Sequence, residues 1–181
     1  MAKNKSNIDR QIKTDEIEAA AARLFIEQGY DATSMTMIAT AANVAPNTLY
    51  WYYKSKDDML IAVLNRLFAA GVAELHGLDE QPLTQQLQWT FKQFAQASNL
   101  ISTVHARAAR SEVVREWHSQ FHLLLESILV QKLSARGMSS SKAKLMATVG
   151  TFVVEGLLSH SHSDSQRDAV VAWLSGEGNL Q

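Results

Sequence analysis

Histidines are the residues of this chain best suited to metal or acid–base chemistry, and two of the six, His118 and His122, stand four residues apart. On a helix that spacing puts both rings on one face, an acceptable arrangement for two ligands of one ion. The pattern gives them no company: there is no cysteine, no HExxH run and no carboxylate pair beside them. His160 and His162 fall in the polar run SHSHSDS, residues 159–165, which reads as a loop. Ordinary solvated or interfacial histidines are the expectation, with no metal and no cofactor. Catalysis has no better footing, since Glu112, Glu116, Glu126 and His118 make no recognisable nucleophile–base or acid–base set. The missing cysteines also exclude a thiol nucleophile, a thiolate metal site and a disulfide scaffold.

A second segment, SMTMIATAANVAPNTLYWYY at residues 34–53, holds polar and aromatic side chains in a different pattern. Ser34 is placed to cap a short helix over Met35 to Ala42, and Asn43 and Val44 interrupt it. Pro46 then opens another helix at the first-turn position, where its missing N–H is no loss. Two short helices about three residues apart make a helix-turn-helix. Ile38, Ala42, Val44 and Leu49 supply its apolar seam, and Ala39 and Ala41 permit close approach. Pro46, Asn47, Thr48 and Trp51 are left outward near the start of the second helix, the end that enters a major groove in DNA readers. A plain helical corner in a bundle fits the same periodicity, and both readings stand on spacing alone.

The elements that must position these groups are helical throughout. The chain has 181 residues, 46% of them hydrophobic, two prolines and eight glycines. That length suits one medium domain, or a module of roughly 50 residues joined to one of roughly 120. Ile17, Ala20, Ala21, Leu24 and Phe25 follow helical spacing in a first helix from Ile12, preceded by a mobile arm over residues 1–11. Ser55 with Asp58 forms a capping box for a helix reaching about Leu75. Further helices follow Pro82 and Ser98 and cover about Glu112 to Ala135, Ser140 to Ser159 and Asp164 to Leu174. With no period-two segment, the fold class is all-α: a helix-turn-helix module over residues 12–54 and a helical bundle over 55–175. No run of eighteen apolar residues occurs and the first ten residues are polar, so a membrane span or secretory signal is not expected and a cytoplasmic protein is.

Charge argues against a broad DNA-binding field. Seventeen basic and eighteen acidic residues leave a net −1, and a strongly basic balance is the usual footprint. The first thirteen residues carry Lys3, Lys5, Arg10 and Lys13 against Asp9, a local +3. Any contact with DNA must come from a few placed groups, with a modest non-specific component.

Residues 20–60 resemble the TetR family of bacterial transcriptional regulators. The matching positions are Leu24–Phe25, Gly29–Tyr30, Thr33–Ser34, Ile38–Ala39, Val44, Thr48–Tyr50, Tyr52–Tyr53, Ser55–Lys56 and Leu60. The resemblance implies a three-helix DNA-binding domain whose third helix reads the duplex, a helical regulatory domain, and a homodimer. It places Thr36 near the start of helix two. Thr48, Tyr50 and Tyr52 take positions that commonly contact phosphates, and Lys56 one that faces the DNA backbone. Pro46, Asn47 and Trp51 fall where bases are read, and Tyr53 is expected at the surface. Three departures stand out. Asn43 replaces the usual turn glycine and is the next best residue for positive φ. Ala45 replaces a serine cap worth about 1 kcal/mol. Asn47 replaces a glycine and adds a group able to pair with adenine or phosphate.

For the C-terminal half, Phe68, Trp89, Phe91, Phe94, Val104, Trp117, Phe121, Leu125, Phe152 and Val153 are candidate walls of a ligand pocket, though ordinary core has the same composition. A neutral-to-lipophilic small molecule is the expected effector, with His105, Arg107, Arg110 or His118 available to orient a polar group. Leu145, Val149, Phe152, Gly156, Leu157, Val170, Trp173 and Leu174 form the expected dimer seam, against the alternative of a monomeric bundle using them as core. The expected partners are an operator duplex, a small effector and a second copy of the chain. A non-DNA-binding helical adaptor and a small helical enzyme are the rival readings.

Overall fold

The computed structural model describes residues 2–160 and 163–175, with side chains described from Arg10 onward except at 159. The side chains of Lys3 and Lys5, and His162, lie outside the described residues. Nine α-helices occur among the described residues: α1 (Ala2–Glu27), α2 (Met35–Ala41), α3 (Pro46–Tyr52), α4 (Lys56–His76), α5 (Leu83–Gln96), α6 (Ser98–Ala108), α7 (Glu112–Ala135), α8 (Ser140–Ser159) and α9 (Asp164–Leu174). The described chain is all-α. One correction concerns the start: α1 begins at Ala2, so the expected arm is the first part of that helix.

Two compact units divide the chain, Met1–Ala70 with Asn99–Arg115, and Gly71–Ser98 with Glu116–Gln181. The first extends beyond residues 12–54 for a physical reason. Met59, Leu60 and Val63 of α4 and Leu100 of α6 are buried in one core with Ile17, Ala21 and Phe25 of α1, Ile38 of α2 and Leu49 of α3. An isolated helix shorter than about 12–15 residues is marginal in water, and α2 and α3 have seven residues each. They are held by side chains such as Ile38 and Leu49, fully buried and worth about 1.5–3 kcal/mol apiece.

Local chemistry sets the corners. Gly29 (φ +87°) takes the left-handed conformation after α1. Buried Thr33 then donates to the Gly29 carbonyl at 2.8 Å and to that of Leu24 at 3.3 Å. Ser34 caps α2 by accepting the Met37 N–H at 3.2 Å. Asn43 has φ +52°, the conformation its replacement of glycine calls for, while Ala45 offers α3 no side-chain cap. At α4 the Asp58 N–H donates to Ser55 Oγ at 3.1 Å, and the hydroxyl donates back to the Asp58 carboxylate at 2.8 Å. Half of the expected box is present, since Asp58 accepts from the Ser55 hydroxyl.

In the second unit Leu83, Leu133 and Ala143 form a buried cluster, flanked by Leu87, Leu129 and Met146. Buried Gln86 is satisfied by donating to the carbonyls of Gln81 (2.9 Å) and Asp79 (3.3 Å) and by accepting from Lys132 Nζ at 2.9 Å. Lys132 also donates to Asp79 at 2.6 Å. That bond holds the Asp79 carboxyl below its ordinary value. Ser163 and Gln166 form a full capping box at the start of α9. By length and composition α4 is the one described helix that would suffice to cross a bilayer. Its Met59, Leu60 and Val63 are buried in the first unit, and Asp57 and Asp58 occupy its first turn.

Candidate nucleic-acid interface

Leu49 is the only buried residue of α3, so a single apolar anchor fixes which way the helix faces. Pro46, Asn47 and Thr48 are exposed, Tyr50 is 51% exposed and Trp51 86%. At 86% exposure the Trp51 ring is left almost wholly in solvent. Thr36 is exposed on α2. Tyr52 is half-buried against the core, and the Arg10 guanidinium lies 5.8 Å from its ring centroid. Arg10, Trp51 and Tyr52 line one shallow groove of about 230 Å³. Arg10 thus joins the outward face of α3, a placement the sequence pattern did not give because it began the first helix at Ile12, two residues after Arg10.

Two expected positions are corrected. Tyr53 is half-buried, packs on the core and donates its hydroxyl to Glu18 at 2.6 Å, tying the end of α3 to α1. Burial first, and then this bond and the Glu18 charge, push its phenol above the ordinary tyrosine value. Lys56 is turned inward. Its ammonium donates to the carbonyls of Tyr30 (2.9 Å) and Thr33 (3.0 Å) and lies 4.1 Å from the Tyr30 ring centroid. It satisfies carbonyls of the α1–α2 connection, a structural task that competes with a phosphate for the same charge.

The first unit also holds an ionic lock. Arg107 of α6 grips Asp57 of α4 with both edges of its guanidinium, at 3.1 and 2.6 Å, and Tyr30 donates its hydroxyl to the same carboxylate at 2.5 Å. Burial would raise the Asp57 carboxyl. The hydrogen bonds from Arg107, Tyr30 and Ser111 outweigh it and hold the group below its ordinary value. Arg107, expected as a possible ligand-orienting cation, is engaged here instead.

The candidate pocket residues are dispersed in character. In the first unit Phe68 is half-buried and Val104 buried. In the second, Phe91 is buried beneath the Arg167 guanidinium, 5.4 Å from its ring centroid. Trp89, Phe94 and Leu125 are half-buried, and Trp117 stacks on Phe121 with centroids 4.9 Å apart. Phe152, expected as a pocket wall, is 68% exposed and belongs to the outer face of α8. An open groove of about 330 Å³ is lined by Val153, Ala169, Val170 and Trp173. Of the expected seam, Leu145 is 65% exposed and Trp173 is also exposed, Val149, Gly156, Leu157 and Val170 are half-buried, and Leu174 is buried within its own unit.

Comparison with known proteins places these features in context. Residues 17–63 match the family of bacterial regulatory proteins, tetR family. A helix-turn-helix transcriptional regulator of Haemophilus influenzae is 38% identical over 88 residues, covering 46% of this chain and 47% of that protein. The match therefore spans about half the length of that relative. Among solved structures, a transcriptional regulator from Rhodococcus superposes with a TM-score of 0.70 at 18% identity, over 90% of this chain and 94% of the other. The multidrug binding protein EbrR, solved with imidazole, superposes with a TM-score of 0.61 at 17% identity, over 90% and 94%. At those identities the structures speak for the fold.

Proposed function

We propose that the chain, whose residues 17–63 match the tetR family of bacterial regulatory proteins, is a homodimeric DNA-binding transcriptional regulator, a repressor released from a palindromic operator by a small, mostly apolar ligand. The observation that carries this reading is the outward face of α3, where Pro46, Asn47, Thr48, Tyr50 and Trp51 are exposed around the single anchor Leu49. In this reading Asn47 and Trp51 meet base edges, with Pro46 setting the helix start, and Thr36, Thr48, Tyr50 and Tyr52 hold phosphates while Arg10 adds charge. Lys56 supports the corner from within.

A regulator of this kind reads two half-sites about one helical turn, roughly 34 Å, apart through a two-fold dimer. The exposed Leu145 and Phe152 stand seven residues apart on α8, with Val149 and Gly156 on the same stripe, which supports α8 as the seam. The effector acts in the second unit, and α4, whose residues run from the first unit into the second, relays the change. The ligand must favour one of two states: removing about 99% of operator occupancy takes a preference of a few kcal/mol, whatever the ligand's absolute affinity. No step of this reading is catalytic, and its place is the cytoplasm, where the operator is.

The test is a mobility-shift titration of the purified protein with duplexes from its own promoter region. A palindromic footprint that disappears in T48A/Y50A, with the fold and oligomeric state unchanged, is the expected outcome. An intact dimer that ignores every such duplex would favour a helical adaptor.

A further inference from the structure

His118 and His122 on α7 and Glu155 on α8 converge within the second unit. The two histidine Nε2 atoms are 3.0 Å apart, and His122 Nε2 is 3.1 Å from a Glu155 carboxylate oxygen. A His118 nitrogen and a Glu155 oxygen lie within 4.8 Å of each other. We propose that His118, His122 and Glu155 form a binding site for a divalent transition-metal ion, with zinc the best fit.

Ligand atoms about 2.1 Å from one ion and separated by tetrahedral to right angles lie roughly 3.0–3.4 Å from each other. The two shortest separations fall in that range before any side chain moves. Proton bookkeeping points the same way. In either tautomer His122 Nε2 faces one histidine nitrogen and one carboxylate oxygen. If it carries a lone pair, that lone pair faces a carboxylate oxygen. A cation beside His122 Nε2 would take that atom, a His118 nitrogen and a Glu155 oxygen as its ligands. Imidazole and carboxylate with no thiolate suit zinc and its neighbours, and three protein ligands leave a position open for water or an oxygen of a bound molecule.

The framework around the site is preformed. Residues i and i+4 of α7 present the two rings on one helical face. Phe121 stands edge-on to His122 at 6.2 Å and stacks on Trp117, so aromatic rings flank the site on one side. The pattern reading at His118 and His122 lacked a carboxylate because Glu155 is 33 residues further along, on the next helix.

The experiment is titration calorimetry of the full, chelator-stripped chain with zinc chloride, paired with visible spectra of the cobalt-loaded protein. One zinc per chain, a visible cobalt band, and affinity lower by about a hundredfold in H122A and about tenfold or more in E155Q are expected. H122N, close in shape to histidine, and far-ultraviolet circular dichroism separate ligand loss from unfolding. Absence of binding in the folded wild type, or binding that persists unchanged in H118A/H122A, would overturn the proposal. Neither result bears on operator binding, which is measured separately.

Discussion

Exposed side chains on α3 divide into two chemistries, and substitution separates them. Asn47 offers an amide that pairs with a base edge, so N47A is expected to relax sequence preference at one operator position at a cost of about 1–3 kcal/mol. Tyr50 offers one hydroxyl to a phosphate, so Y50F is expected to weaken binding evenly across sequences, without changing which duplex is preferred. Fluorescence anisotropy against an operator and a set of single-position variants distinguishes these outcomes. Inside the same unit, the pair formed by Arg107 and Asp57 controls stability. R107M leaves Asp57 partly buried with one fewer charged partner, and a loss of about 2 kcal/mol is expected in urea unfolding at neutral pH. The sign with pH follows from the lowered Asp57 carboxyl. Its contribution is fully present above the unfolded value of about 3.9 and is lost as pH falls from there through the folded value. R107M is therefore expected to flatten that acid limb. Tyr30 and Tyr53, both raised first by burial and then by their carboxylate partners, act at the opposite end. Stability is expected to fall as pH rises above about 10, because the unfolded phenols ionise first, and Y53F should lessen that fall.

Short helices such as α2 and α3 depend on their ends and on their packing, and this is where element-scale changes register. Ala45 sits at an extended N-cap with φ −67° and ψ 144° and no side chain to accept an N–H. A45S is expected to supply that acceptor and stabilise the protein by about 1 kcal/mol, seen as a rise of about 2–4 °C in Tm. Asn43 has φ +52°, so N43V forces a β-branched side chain into left-handed backbone, at a cost of about 1–2 kcal/mol. Differential scanning calorimetry reads both, and opposite signs at neighbouring positions would confirm that cap and turn act separately.

The largest apolar side chains left in water on α8, Leu145 and Phe152, carry the expectation for the whole molecule. If they form the seam, L145E/F152E is expected to sediment as a monomer. Operator affinity should then fall by about a hundredfold or more, because the second half-site is no longer engaged within one assembly. Far-ultraviolet circular dichroism should stay unchanged, since both residues are already exposed in the single chain. A double variant that remains dimeric would move the seam elsewhere.

Periodicity by itself placed the helices from α2 onward, the turn at Asn43, the helix start at Pro46 and the seam of Ile38, Ala42 and Leu49. These depend on residues within a few positions of one another, where backbone preference and apolar spacing act directly. Long-range partners decided the rest. Lys56 turns inward because carbonyls at Tyr30 and Thr33, more than twenty residues earlier, need donors. Tyr53 is drawn from the surface by Glu18 on α1, Arg107 is taken up by Asp57, and Glu155 reaches His122 from the next helix. Local spacing sets which face a residue occupies, but the hydrogen-bond and charge partners of a long polar side chain come from elsewhere in the chain, and only folding brings them within reach.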